Sequence, residues 1–251
     1  MDAALRDKFI RLWTKYFNGA ALPICFYYTN DEACRQYLRP EKGHTCLIGQ
    51  LNHARNGETL CVDKDSIGCP GGRRYLGFSA DVMPDFEYFL SCGIPGKLEG
   101  ERYKKSPGIV LEAMKRTSFL EAPARHAVFK RWDTLDERDE PDVVIFFATG
   151  DVLSGLFTLS NFDEIDPNAV IAPFGAGCAT ITQYPYLEKD RDQPRSVMGM
   201  LDVSARPFVP GSVVSFATPM TKFARMIDNM EESFLITGSW DKVRRRIGSK
   251  T

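Results

Sequence analysis

The sequence predicts an α+β domain, with a mixed α/β arrangement as the alternative, on three observations. Short β-branched and aromatic runs of strand length recur along the 251 residues. Amphipathic segments with helical spacing stand between them. The two kinds interleave without strict alternation, unlike a regular βαβ repeat. The 20 glycines and 15 prolines are spread through the chain, which argues against a fibrous repeat or a long disordered tract. With 43% apolar residues there is enough material for one substantial core, so 1–251 reads as one domain.

The elements follow in order. Residues 2–17 place Leu5, Phe9, Leu12, Trp13 and Tyr16 at helical spacing, so 1–19 reads as an amphipathic helix packed on the body. The run from Leu22 to Tyr28 is a strand entering a helix cap at Asn30-Asp31, and residues 31–38 form a short helix. A second helix starts near Thr45 and stops at Asn56-Gly57, followed by a short strand from Glu58 to Asp63. Gly68-Cys-Pro-Gly-Gly72 opens a helical segment that runs through Leu76. In the middle, 85–92 and 107–117 are expected helices, the latter with proline in its first turn, and His126 to Trp132 alternates as a strand. Beyond a charged turn at 136–141, strands are expected over 143–148, 168–173 and 212–217. Helices are expected over 151–159, from Gly175 onward, over 219–230 and over 240–247.

One internal echo suggests two degenerate strand–helix halves. Cys25-Phe-Tyr-Tyr-Thr-Asn-Asp31 and Ile145-Phe-Phe-Ala-Thr-Gly-Asp151 are both aromatic strands entering a helix through Thr-x-Asp. Each is followed by a helix that opens with a cysteine, Cys46 or Cys178.

Charge and hydropathy exclude several classes of function. Thirty-two Lys and Arg against 33 Asp and Glu leave a net charge of −1, so no overall field favours nucleic acid or anionic lipid. No apolar run approaches the roughly 18 residues of a membrane span. The N-terminus interleaves charges with apolar residues, unlike a signal peptide. Seven cysteines, an odd number, argue for reduced thiols over a disulfide framework, and the expected compartment is the cytoplasm.

Three of those cysteines stand where helices begin: Cys46 after Thr45, Cys69 within Gly68-Cys-Pro-Gly-Gly72, and Cys178 after Gly175-Ala-Gly177. Free N–H groups and the helix dipole favour a thiolate there, and neighbouring glycines let backbone approach a bound group. Three such thiols from distant segments suit an iron–sulfur cluster or another thiolate-bound metal, with Cys61 as the candidate fourth ligand. The plainer reading is that they pack as small hydrophobes, since no Cys-x-x-Cys pair occurs.

A competing class is a small-ligand or anion-binding module. It would use Gly68, Gly71, Gly72, Arg73 or Arg74, with Gly175, Gly177 and Arg206, and the cysteines would be structural. The segments match neither the phosphate-loop nor the dinucleotide fingerprint. A Cys–His pair built on His44 or His53 is the third option, and no Gly-x-Ser-x-Gly elbow or His-Glu-x-x-His helix supports a hydrolase. The partner expected in either leading case is a small molecule or a redox protein.

The order of these pieces resembles the family filed as domain of unknown function 169. The resemblance rests on Leu22 to Tyr28, Thr45-Cys-Leu-Ile with Ala54, Gly68-Cys-Pro-Gly-Gly with Leu76-Gly77, Pro141 to Phe146, and Gly177-Cys-Ala. Ser204-Ala-Arg206 and Ser215 to Pro219 extend it, so it spans about residues 20–247. It implies one α+β domain with cysteines at the positions of Cys46, Cys69 and Cys178. The chain departs from the pattern across 199–204, where a cysteine-and-glycine segment is expected and Met200 stands instead.

Overall fold

The computed structural model describes residues 1–39 and 45–248. A seven-stranded sheet runs through the molecule in the order β2-β3-β1-β4-β7-β6-β5. Its strands are β1 (Ile24–Thr29), β2 (Leu60–Val62), β3 (His126–Arg131), β4 (Val143–Ala148), β5 (Val170–Ile171), β6 (Ser196–Gly199) and β7 (Val214–Pro219). All neighbours pair antiparallel except β5 with β6. Helices segregate onto the two faces, which makes the class α+β.

Strand alternation divides the core. On one face lie Cys25 of β1, Val144 and Phe146 of β4 and Phe216 of β7, covered by α1 (Ala3–Tyr16), α6 (Gly150–Ser160), α9 (Met220–Asn229) and α10 (Gly238–Arg244). Phe9, Trp13, Phe146 and Phe223 meet ring to ring there, so this is the aromatic face. The helix expected over residues 2–17 is α1. Asp2 caps it by accepting from the Ala4 N–H at 2.8 Å, and it buries Phe9, Leu12, Trp13 and Tyr16.

The opposite face carries Ile24 and Phe26 of β1, Phe129 of β3 and Ile145 of β4. It is covered by α2 (Leu47–Arg55), α3 (Pro70–Tyr75), α7 (Gly177–Ile181) and α8 (Gln183–Glu188). Two further helices, α4 (Phe86–Phe89) and α5 (Pro107–Arg116), pack on each other in the long β2–β3 connection.

The strand order repeats. In the first half β1 lies beside β3 and β3 beside β2; in the second, β4 lies beside β7 and β7 beside β6. The two halves meet antiparallel at β1–β4, with Ile24 opposite Ile145. This is the arrangement of a two-fold axis through the middle of the sheet, with β5 added outside. α2 lies between the first and second strands of one half, and α7 between those of the other.

Most expected elements are present, with shorter ends. The segment 31–38 is a 3-10 helix over Glu32–Tyr37, capped by Asp31. The helix expected over 85–92 shrinks to α4, because left-handed backbone at Asp85 (φ 60°) and Gly93 (φ 73°) brackets it. One strand and one α-helix among the described residues went unanticipated, β6 and α8, both short and lacking a clear apolar period, as did three short 3-10 turns.

Candidate functional site: two groups of thiols on opposite faces

Cys46 is the N-cap of α2 and Cys69 the N-cap of α3, while Cys178 lies in the first turn of α7. The Gly72 N–H donates to Cys69 Sγ at 3.3 Å, so this sulfur takes the place an oxygen usually holds at an N-cap. The three helix starts gather on the same face. A Cβ on Gly72 would stand 3.1 Å from Leu47 Cβ, the first residue of α2. A Cβ on Gly177 would stand 2.7 Å from Met200 Sδ, 2.8 Å from Ala205 Cβ and 3.2 Å from Asp202 Oδ1. These glycines are the close approaches that let three backbones meet.

Asp202 joins the thiols. Its Oδ2 accepts from the Ser204 hydroxyl at 2.8 Å, but its Oδ1 is buried with no hydrogen-bond partner. Cys46, Cys178 and Asp202 lie close enough for their charges to act on one another. Burial pushes the Cys178 thiol well above its ordinary value of 9.0, and the Cys69, Cys46 and Asp202 charges push the same way. Burial also raises Cys46, opposed by the N–H groups of Ile48 and Gly49 at the start of α2.

Cys61 does not belong to this group. It sits in β2 between Leu60 and Val62, and those two face α2. With a period of two, Cys61 must point to the other face, where it packs with Tyr27, Cys34 and Val128. The expectation of Cys61 as fourth ligand is therefore corrected: an entire sheet separates it from Cys178. The group missed in the sequence is Asp202. It lies in the segment where the family resemblance calls for a cysteine, and its carboxylate is the oxygen counterpart of a thiolate ligand.

The cations of the anion-binding reading are largely committed elsewhere. Arg206 donates to the carbonyl oxygens of Met200, Val213 and Gly211, so its guanidinium pins the loop before β7. Arg73 donates to the Ile67 carbonyl at 2.8 Å. Gly68 lies in the turn before α3 and Gly71 in its first turn, in a helix of only six residues. Gly175 precedes α7, and a Cβ there would press on the Tyr184 ring at 2.8 Å. Of the histidines weighed as a thiol's partner, His53 is half-buried and pairs with Glu58 at 3.3 Å, and His44 lies outside the described residues.

On the other face, at the β2 edge, Cys34, Cys61 and His126 form a group able to hold a metal ion. Their donor atoms all lie within 4.8 Å of one another, and all three residues are buried. Cys34 arrives on the 3-10 helix, brought over β2 by a parallel bridge between Leu38 and Cys61. In the sequence, Cys34 falls in the short helix expected over 31–38 and His126 opens an expected strand, with nothing to join them. Only the pairing of β2 with β3, which no local pattern reveals, puts them beside Cys61.

The fold and these residues define a single α+β domain with cysteine groups on both faces of one sheet. The family comparison agrees with the resemblance read from the sequence. Residues 15–229 match the model of the family DUF169, described as "Uncharacterised ArCR", and the chain belongs to that family. No curated protein and no solved structure matches the chain. Among the described residues, no helix is long and apolar enough to cross a membrane.

Proposed function

We propose that the protein binds a soft metal, in the form of an iron–sulfur cluster, through Cys46, Cys69 and Cys178, with Asp202 as the fourth group and a redox or auxiliary role. The observation that carries this reading is the buried Asp202 Oδ1, which has no hydrogen-bond partner and stands among three thiols. An uncompensated carboxylate oxygen in such a place is expensive, and a cation is what relieves it.

The strand repeat supports the same set. Cys46 and Cys178 open the helices between the first and second strands of their halves, and Cys69 and Asp202 each follow the second strand. The four groups therefore occupy two pairs of matching positions about one axis.

Spacing favours a cluster over a single ion. Zinc–sulfur bonds of about 2.3 Å bring tetrahedral ligands to roughly 3.8 Å from one another. Cys46, Cys69, Cys178 and Asp202 are not among the described groups of three or more donors that fit within 4.8 Å. A body of several metal and sulfide atoms spans that wider gap. An oxygen ligand is the weaker partner for a soft metal, so the Asp202 corner is where a substrate or redox partner would gain access.

The test is purification without oxygen, followed by absorption spectroscopy and iron and sulfide analysis. Matching iron and sulfide with broad thiolate-to-iron absorption, lost in Cys69→Ala while the far-ultraviolet circular dichroism stays, is the expected result. A colourless, iron-free and stably folded wild-type protein would overturn the reading.

A further inference from the structure

We infer that the β2 edge of the sheet carries a second, independent metal site, for a single zinc-like divalent ion, built from Cys34, Cys61 and His126, with Asp63 behind the imidazole. The two sulfurs stand 2.7 Å apart, well inside ordinary contact between thiols. The more telling group is His126. It is 4% exposed, and neither ring nitrogen has a hydrogen-bond partner. A neutral imidazole carries one donor and one acceptor, and burying both unpaired is expensive. Two thiols packed as hydrophobes, or joined in a disulfide, leave that cost standing. A metal ion takes one nitrogen as a ligand and leaves the other to a carboxylate, as metal-bound histidines usually require.

The carboxylate is in place. Asp63 lies two residues beyond Cys61, on the same side of the strand, and His126 sits next to Ala127, the partner of Val62. Asp63 Oδ1 is held by the N–H groups of Asp65 and Ser66 at 3.1 and 2.8 Å, which turns Oδ2 toward His126 Nδ1 at 4.0 Å. Two thiolates and an imidazole, with a carboxylate behind the imidazole, suit zinc, which is borderline-soft and tetrahedral. Seating it asks the sulfurs to open from 2.7 Å to about 3.8 Å. Cys34 can supply that movement, because it rides on a one-strand-edge 3-10 turn and not within the sheet.

This site does not depend on the cluster proposed above, from which the sheet separates it, and the experiment keeps the two apart. Protein stripped by chelator under reducing conditions is titrated with zinc alone against a chromophoric chelator. Wild type is expected to bind one equivalent more than Cys34→Ser and His126→Gln, and Cys69→Ala is expected to keep that equivalent. Cobalt in place of zinc should give thiolate charge-transfer absorption that is lost together with that equivalent in Cys34→Ser. Circular dichroism checks that each variant is folded, and Asp63→Asn, at the rim, should weaken zinc by about tenfold or more without loss of fold. Equal zinc uptake by wild type, Cys34→Ser and His126→Gln overturns the site. So does a mass two hydrogens short under reducing conditions that maps to a Cys34–Cys61 disulfide.

Discussion

The two faces of the sheet are finished to different degrees. On the aromatic face every indole N–H has found a carbonyl: Trp13 donates to Ala20 at 3.3 Å, Trp132 to Arg6 at 3.1 Å and Trp240 to Tyr16 at 2.9 Å. The rings there stack or meet edge to face, and the buried polar atoms left unpaired on that side, Asn161 Oδ1, Asn229 Nδ2 and the His126 ring nitrogens, lie at the ends of α6 and α9 and at the β2 edge. On the thiol face Asp202 Oδ1, Gln50 Oε1, Arg73 Nε and Ser215 Oγ are all buried without partners. Native interiors rarely tolerate several such atoms close together. The aromatic core of one face is closed and holds the fold, while the thiol face is a core with something still to receive.

That contrast breaks first under large-to-small substitution. Phe146 is fully buried between Phe9, Trp13, Phe216 and Phe223, so Phe146→Ala should cost about 3–5 kcal/mol. For a domain of this length that lowers Tm by about 10 °C, measurable by calorimetry. Cys178→Ala removes a single sulfur and should cost far less, while abolishing iron loading. If the two variants lost equal stability, the division of labour between the faces would be wrong.

Adding volume gives a smaller effect of the same kind. A Cβ on Gly155 would stand 2.5 Å from the Trp240 ring and 2.7 Å from Phe17, both deep in the aromatic face. Gly155→Val is expected to cost about 1–3 kcal/mol by denaturant titration. Its metal content should match that of the wild type. Gly177→Ala, against Met200 and Ala205, should instead reduce loading, because it pries α7 from the segment that carries Asp202.

Alkaline pH acts on both faces. Burial, and then the Asp139 charge, hold Cys25 well above 9.0, and burial with the neighbouring thiols does the same for Cys178. A thiol whose folded pKa is raised binds its proton more tightly in the folded state. Its contribution is complete below the unfolded value near 9.0 and is lost as pH rises through the higher folded value. Metal-free protein should therefore lose stability steadily above pH 9, and native Cys25 should resist thiol reagents that label the exposed Cys92. Metal-loaded protein should lose less, since Cys178 would already be a ligated thiolate.

Much of the fold and part of the site were legible in the sequence, for identifiable reasons. Helical spacing marked α1 and α9, and aromatic β-branched runs marked β1 and β4, because their buried faces impose a period. Cys69 was recognisable from the glycines and proline of a helix start, and Cys46 from its place after Thr45 where a helix was expected to begin. What stayed hidden depends on pairing between distant strands. The side to which Cys61 points follows from the register of β2 on β3, and the meeting of Cys34 with His126 follows from the same pairing. Asp202 was hidden for a second reason: as a residue type it reads as surface, and only its burial in the turn after β6 singles it out.

Asp202→Asn is the smallest change and the one that sharpens the comparison most. The amide keeps the size of the side chain and its oxygen can still accept from the Ser204 hydroxyl, so packing in the turn is preserved. It removes a negative charge that, without a metal, faces three thiols and no hydrogen-bond donor at Oδ1. Metal-free Asp202→Asn should therefore be as stable as the wild type or slightly more so, within about 0.5 kcal/mol. An amide oxygen is a poorer ligand than a carboxylate, so loading should fall and the metal should exchange faster, read by iron content after brief chelator exposure. A functional carboxylate lowers stability when empty and raises affinity when filled, whereas a structural one does neither. A marked fall in Tm with unchanged loading would place Asp202 with the residues that merely hold the turn.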